Sequence, residues 1–119
     1  MRLEARKYLH DIKSAADLIR AFTAGKQLDD YSGDAMLRAA VERKFEVIGE
    51  ALSRLNKVAP QVAARISEQG RIIAFRNILI HGYAEVDDRL VWDVVESKLP
   101  VLHGELQDLL RDSDGGVAP

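Results

Sequence analysis

The stretch Gly70–Tyr83, with the sequence GRIIAFRNILIHGY, decides how this chain folds and where its chemistry lies. Most of its side chains are apolar, namely Ile72, Ile73, Phe75, Ile78, Leu79 and Ile80. If residues 72–81 are helical, this pattern leaves almost no face for water, which predicts a helix surrounded by protein. Polar side chains are costly in such a helix, so Arg76, Asn77 and His81 are candidate site residues.

The spacing of these polar residues limits which of them can meet. Burying a guanidinium without a partner is costly, so we expect Arg76 to meet a carboxylate, a second subunit or an anionic ligand. Asn77 and His81 are four residues apart and share a helix face. Arg76 and His81 diverge by about 140° around the helix axis. They converge only through the long Arg76 side chain or a distorted last turn, and Gly82 suits such an ending.

Two long amphipathic helices are predicted before this stretch. Apolar residues recur every three or four positions in the first helix, Leu3–Ala24, and in the second, from about Leu37 to Lys57. Between them, Leu28–Asp34 reads as a turn cluster in which Ser32 or Asp34 could cap the second helix.

The remaining elements complete a helical bundle. Pro60 suits the start of a short helix, Gln61–Ile66, and Pro100 is expected to kink or divide the last long helix. We therefore predict an all-α fold, an antiparallel four-helix bundle with one additional short helix. The domain is expected over residues 1–111, with a flexible C-terminal tail over residues 112–119.

Composition narrows the class of protein. A chain of 119 residues can bury one core, and zero cysteines exclude a disulfide framework and thiolate metal sites. No charged-then-apolar leader or long apolar run is visible, so we expect a soluble cytoplasmic protein that does not span a membrane. No His and carboxylate cluster has ligand spacing, so neither metal nor cofactor is expected. His10 and His103 are predicted to be isolated surface residues.

The charge is unevenly distributed. The net charge of −2 argues against bulk attraction to nucleic acid. However, residues 37–76 contain eight Lys or Arg and four Asp or Glu, whereas residues 85–119 contain three and nine. A local basic surface near the central stretch and two ordinary solvated helix faces are both compatible with this pattern.

The candidate site residues suit phosphate chemistry. The imidazole of His81 titrates near neutral pH and can take and return a proton, while the planar donors of Arg76 match phosphate oxygens. Together they fit cleavage of RNA by its own 2′-hydroxyl without a metal, with Asn77 orienting either side chain. One histidine cannot easily serve as both base and acid, so a two-fold dimer that pairs two copies of the helix is expected.

Other interpretations of the same residues remain open. Arg76 could be a structural residue paired with Glu46 or Glu50 within one subunit, and His81 could be a helix C-terminal residue favoured by the dipole. Tyr83 could be a packed core tyrosine. The site could also bind a nucleotide or dock a partner without catalysis.

Three segments resemble one protein family. Arg76–Tyr83 resembles the R-x-x-x-x-H-x-Y motif of HepT-like proteins in the HEPN superfamily. Val41–Ala51 resembles that group's segment ending in Ile-Gly-Glu-Ala, and Val91–Val95 with Leu99–Pro100 resembles its last helix. The resemblance covers about Leu3–Leu110.

This resemblance carries specific implications. It implies a HEPN-type helical bundle that forms a homodimer with the two motifs facing each other, and a metal-independent endoribonuclease acting on RNA. It also implies a toxin whose antitoxin is a small MntA-type nucleotidyltransferase. In such pairs the antitoxin can transfer AMP to the motif tyrosine, which is Tyr83 here. By the same resemblance Arg76 and His81 are catalytic, and Asn77 is the polar residue that commonly follows the arginine.

Overall fold

The computed structural model of this chain describes residues 1–82 and 86–115. The described residues form helices and no strand, and the α-helices are α1 (Leu3–Thr23), α2 (Leu28–Ser32), α3 (Ala35–Val58), α4 (Pro60–Ala63), α5 (Gln69–His81), α6 (Asp88–Asp93) and α7 (Leu99–Gly115). A π-helical segment, Val94–Lys98, joins α6 to α7. The predicted all-α antiparallel bundle is confirmed.

Helix α3 is the centre of the bundle. It packs most extensively against α1 and then against α5, while α7 packs against α1. Fully buried aliphatic side chains line these contacts, and they include Ile12, Ile19, Ile48, Leu52, Leu55, Leu99 and Leu106. Each such side chain stabilises the fold by about 1.5–3 kcal/mol. Because α3 contacts both α1 and α5, it places the site stretch relative to the rest of the chain.

Pro100 interrupts the last long helix, as predicted. A proline lacks the backbone N–H, and its ring clashes with the carbonyl four residues earlier in a regular α-helix. The preceding turn widens, and the Leu99 N–H donates to the carbonyl of Val94, five residues back. The wider turn makes room for the proline ring, and the helix continues to Gly115.

The predicted turn cluster contains a second short helix, α2. Tyr31 of α2 is completely buried, and its ring centroid lies 5.4 Å from that of Trp92. Asp34 caps α3 by accepting a hydrogen bond from the Leu37 N–H at 3.1 Å, so this part of the prediction is confirmed. A five-residue helix is too short to show a periodic pattern, and α2 is fixed by a capping box between Gln27 and Asp30 and by burial of Tyr31.

His103 is not an isolated surface residue, so that prediction is wrong. Its Nε2 lies 2.8 Å from Asp17 Oδ1, and its side chain is only 12% exposed where α7 meets α1. Burial raises the pKa of Asp17, but hydrogen bonds from Lys13 and His103 outweigh it and leave that pKa below its ordinary value. The pairing joins positions 86 residues apart, which sequence periodicity cannot reveal. His10 is exposed, as expected.

Helix α7 extends past the expected domain boundary at residue 111. The Asp112 carboxylate pairs with Arg65 at 2.7 Å, which ties the start of the expected tail to the segment after α4. Residues 116–119 lie outside the described part of the chain, and flexibility of the tail stays a prediction. Among the described residues, no helix combines the length and hydrophobicity needed to cross a lipid bilayer.

Candidate active site

Helix α5 is held on α3 by a narrow apolar stripe. Its buried residues are Ile72, Phe75 and Leu79, three and four positions apart. The Phe75 ring packs edge-on against Phe45 of α3, with the centroids 5.2 Å apart at an interplanar angle of 76°. This contact places Arg76, the next residue, at the edge of the interface between the two helices.

The opposite face of α5 is open in the single chain. Asn77 and His81 are exposed, and the apolar residues Ile78 and Ile80 are 49% and 44% exposed. The prediction of a helix surrounded by protein is therefore wrong for one protomer. Among the described elements, α5 packs mainly against α3. Because the sequence of α5 is apolar on nearly every face, it does not show which faces α3 covers and which it leaves exposed.

Gly49 of α3 makes room for the stem of Arg76. A Cβ atom at Gly49 would lie 2.3 Å from Arg76 Cβ and 2.7 Å from its Cγ, distances that no folded protein tolerates. These atoms are close to the α5 backbone and cannot swing aside. Helices α3 and α5 can therefore approach this closely at Arg76 only because residue 49 is glycine.

Glu50 anchors the guanidinium of Arg76. Nη2 of Arg76 donates to Glu50 Oε2 at 2.6 Å, and Nη1 donates to Asn77 Oδ1 at 3.2 Å. The expected carboxylate partner is thus confirmed, and it is Glu50. Glu46 instead pairs with Arg43 at 3.4 Å. Within the described part of the chain, the buried Nε of Arg76 has no hydrogen-bond partner.

Glu50 also holds a second guanidinium. Its Oε1 accepts a hydrogen bond from Arg54 Nε at 2.9 Å, and Arg54 in turn interacts with Tyr8 of α1. The hydrogen bond from Arg54 lowers the pKa of Glu50, and the charge of Arg76 lowers it further. Glu50 therefore stays ionised at neutral pH and carries one negative charge between two cations.

Arg76 is accessible to a ligand. Its side chain is 27% exposed and lines a groove of about 580 Å³ between α1 and α3, here called the α1–α3 groove. The lining also includes Tyr8, Arg43, Lys44, Glu50, Arg54 and Ile80. A phosphate can therefore reach the guanidinium without unfolding the bundle.

His81 lies at the C-terminal end of α5, where the Gly82 N–H donates to the carbonyl of Ile78 and the helix stops. No hydrogen bond between described residues joins His81 to Arg76, and His81 does not line the α1–α3 groove. One protomer therefore brings Asn77 to Arg76 but leaves His81 apart, as the 140° divergence predicts. Tyr83 lies outside the described residues.

Two supporting features of the site can be recognised from the sequence, namely the small Gly49 beside the apolar seam of α3 and the pair that Glu50 forms with Arg54 four residues later. A glycine in a helix interior costs about 1 kcal/mol relative to alanine, so Gly49 was a detectable signal of close packing. Sequence reasoning missed Tyr8, because its interaction with Arg54 joins two helices that are far apart in the sequence. Among the described residues, no group of three or more His, Asp or Glu side chains is arranged to hold a metal ion.

Comparison with known proteins identifies the class. The family described as ribonuclease HepT-like matches residues 12–109, which is most of the chain. The chain belongs to this HepT-like family, and the resemblance seen in its motifs is confirmed. No solved structure matches it significantly.

Named relatives agree with this class. The chain is 34% identical over 115 residues to "Probable ribonuclease HepT" of Thermococcus cleftensis, covering 93% of this chain and 100% of that protein. It is 30% identical over 112 residues to "Putative RNase MJ0127" of Methanocaldococcus jannaschii, covering 94% and 92%. It is also 32% identical over 114 residues to "Gamma-glutamylcyclotransferase and putative RNase MJ0434" of the same organism. That match covers 96% of this chain and 51% of the relative, so the chain spans about half the length of that protein.

Proposed function

We propose that this protein is a cytoplasmic, metal-independent endoribonuclease and the toxin of a toxin-antitoxin pair. The observation that carries the proposal is the guanidinium of Arg76, which Glu50 anchors through one nitrogen while the side chain faces an open groove. Membership of the HepT-like family supports RNA as the substrate. Arg76 and His81 are the proposed catalytic residues, and Asn77 orients Arg76.

The chemistry requires no group beyond the chain and its RNA. The ribose 2′-oxygen attacks the adjacent phosphorus, the bond from phosphorus to the 5′-oxygen breaks, and a 2′,3′-cyclic phosphate and a 5′-hydroxyl remain. Arg76 donates hydrogen bonds to the phosphoryl oxygens as charge builds on them. Among the hydrogen bonds of the described residues, its Nη1 makes only the 3.2 Å bond to Asn77, which a phosphate oxygen can replace. His81 removes the 2′-hydroxyl proton or protonates the departing 5′-oxygen.

A cleavage assay tests this proposal. Purified protein incubated with single-stranded RNA in EDTA is expected to cut it, and mass spectrometry of the fragments is expected to find cyclic phosphate ends. Cleavage that stops in EDTA, or fragments with 5′-phosphate ends, would contradict the proposed mechanism.

A homodimer supplies the second histidine. The open face of α5 is suited to this contact, since Ala74, Ile78 and His81 repeat every three or four residues along it. Next to Ile78, Leu90 of α6 is 38% exposed and lines with it an apolar cleft of about 290 Å³. A two-fold contact that covers Ile78 would bring two copies of His81 toward each other.

An aspartate at position 78 is expected to break this dimer, because burying a carboxylate in an apolar contact costs several kcal/mol. Ile78→Asp should sediment as a monomer in analytical ultracentrifugation and lose RNA cleavage. Val101→Asp is the matched control, because Val101 is 47% exposed on α7, a helix that is not among the main neighbours of α5. An Ile78→Asp protein that sediments as a native dimer would remove α5 from the interface.

The proposed antitoxin is a small MntA-type nucleotidyltransferase that modifies Tyr83. The phenol oxygen attacks the α-phosphorus of ATP and pyrophosphate leaves, so the tyrosine gains an AMP. Because Tyr83 follows His81 by two residues, the added charge and bulk would block the site. Incubation with such an enzyme and ATP should add the mass of AMP to the peptide containing Tyr83. An equal gain in Tyr83→Phe would place the modification elsewhere.

One observation favours a second function, a non-catalytic dimer that binds a nucleotide or docks a nucleotidyltransferase. Within a protomer Arg76 is paired with Glu50, and no hydrogen bond between described residues links it to His81. In this case RNA stays intact in the cleavage assay. Arg76→Ala should then weaken nucleotide or partner binding measured by calorimetry.

A further inference from the structure

The α1–α3 groove extends well beyond Arg76. From Arg43 to Arg54 it follows α3 for eleven residues, a rise of about 16 Å at about 1.5 Å per residue. Its other wall is α1, where Tyr8 and Leu18 line it. One phosphate bound at Arg76 would occupy only a small part of the length of the groove.

The groove carries an excess of positive charge in a protein whose net charge is negative. Five cations line it, namely Lys7, Arg43, Lys44, Arg54 and Arg76, against the three carboxylates Asp11, Glu46 and Glu50. Glu50 serves both Arg54 and Arg76. Among the ion pairs of the described residues, none includes Lys44. An anion with several charges along its length would satisfy this lining.

The floor of the groove also offers apolar and aromatic surface. Leu18 is 38% exposed and Ile80 is 44% exposed, and both line the groove. The Tyr8 ring is partly exposed, and the Lys7 ammonium, which also pairs with Asp11 at 3.3 Å, lies 5.4 Å from its centroid. Aromatic rings beside cations along a groove are the usual means of binding single-stranded nucleic acid.

We propose that the α1–α3 groove binds the single-stranded RNA segment next to the phosphate that Arg76 holds. Lys44 and Arg43 contact backbone phosphates, and Tyr8 stacks against a base in place of the Lys7 ammonium. This inference rests on the proposed function, because it takes the phosphate at Arg76 as the start of the bound strand. It adds Lys44 and Tyr8 as substrate-positioning residues that take no part in bond cleavage.

Binding of a non-cleavable strand tests this inference. The probe is a fluorescein-labelled single-stranded oligonucleotide with 2′-O-methyl riboses, and its affinity is measured by fluorescence anisotropy over a range of KCl concentrations. Lys44→Ala should lower the slope of log affinity against log salt by about 0.7, the value for one lost phosphate contact on a single strand. Lys26→Ala, which removes an exposed lysine near the far end of α1, should leave the slope unchanged.

Tyr8 is tested with the same probe. Tyr8→Ala should weaken binding about tenfold, the size expected for loss of one stacked base, whereas Tyr8→Phe should bind like the native protein. If Tyr8→Ala does not fold, Lys44→Ala still decides the matter, because Lys44 has no ion pair with described residues to lose. Native affinity in Tyr8→Ala together with a native salt slope in Lys44→Ala would overturn the groove assignment.

The outcomes separate this inference from the nuclease proposal. Binding that depends on Lys44 and Tyr8, with unmodified RNA left intact, would support the groove and overturn the nuclease. If the native protein cleaves RNA and the groove variants bind the probe normally, the nuclease proposal is supported and the groove assignment is overturned. A change in dimer sedimentation in Lys44→Ala without a change in RNA affinity would assign the groove to a protein contact and overturn the inference.

Discussion

RNA cleavage is expected to fall by about 10²–10⁴-fold in His81→Ala, the range for loss of a general acid or base. His81 is exposed at the end of α5, so its removal opens no cavity and should leave the melting temperature unchanged. The initial rate of cleavage of a labelled RNA, measured under single-turnover conditions, reports the loss directly.

His10→Ala is the matched control for this result, because His10 is an exposed histidine on α1. It should cleave RNA at the native rate. Sedimentation of both variants should match that of the native protein. Equal cleavage by His81→Ala and His10→Ala would remove His81 from the catalytic assignment.

Gly49→Ala is expected to be the most damaging small substitution in the bundle. The added methyl would lie 2.3 Å from Arg76 Cβ, so α5 must move away from α3 and loosen the contact between Phe45 and Phe75. Overpacking of this kind costs about 1–3 kcal/mol, which chemical denaturation can measure. A shift of about 1 Å in Arg76 should also lower cleavage about a hundredfold.

Gly104→Ala provides the control for packing. Gly104 lies inside α7, and a Cβ there would meet nothing within 4 Å. The substitution should stabilise the protein by up to about 1 kcal/mol through helix propensity and leave cleavage unchanged. If Gly49→Ala fails to fold, Glu50→Gln tests the same support of Arg76, since it removes the charge of the anchor while keeping its size. Native activity in both variants would contradict a role for α3 in placing Arg76.

The sequence around Arg76 predicts that this side chain has a partner, but it does not identify the partner. The cost of burying a guanidinium in an apolar helix predicts a carboxylate, a second subunit or an anionic ligand as its partner, and Glu46 and Glu50 were the two candidate carboxylates on α3. Only the approach of the helices at Gly49 chooses between them, because it directs the stem of Arg76 toward Glu50 and leaves Glu46 to Arg43.

The exposure of the faces of α5 was predicted less well than the position of the helix in the sequence. Its C-terminal boundary follows from local chemistry, because the helix ends at His81 next to Gly82, whereas it begins at Gln69, three residues before the predicted start, without a side-chain cap from Glu68. The surroundings of α5 do not follow from local chemistry, because a residue such as Ile78 looks the same in sequence whether a neighbouring helix covers it or leaves it exposed.

The sequence by itself determined the helical class, the central stretch with Arg76 and His81, and the interruption at Pro100. These features depend on interactions within one or two turns of a helix, which the order of residues specifies directly. Only the tertiary structure decided that Glu50 holds Arg76, that Asp17 holds His103, and that α1 and α3 enclose a cationic groove. Such contacts join helices distant in the chain, and their choice depends on the combined packing of the whole bundle.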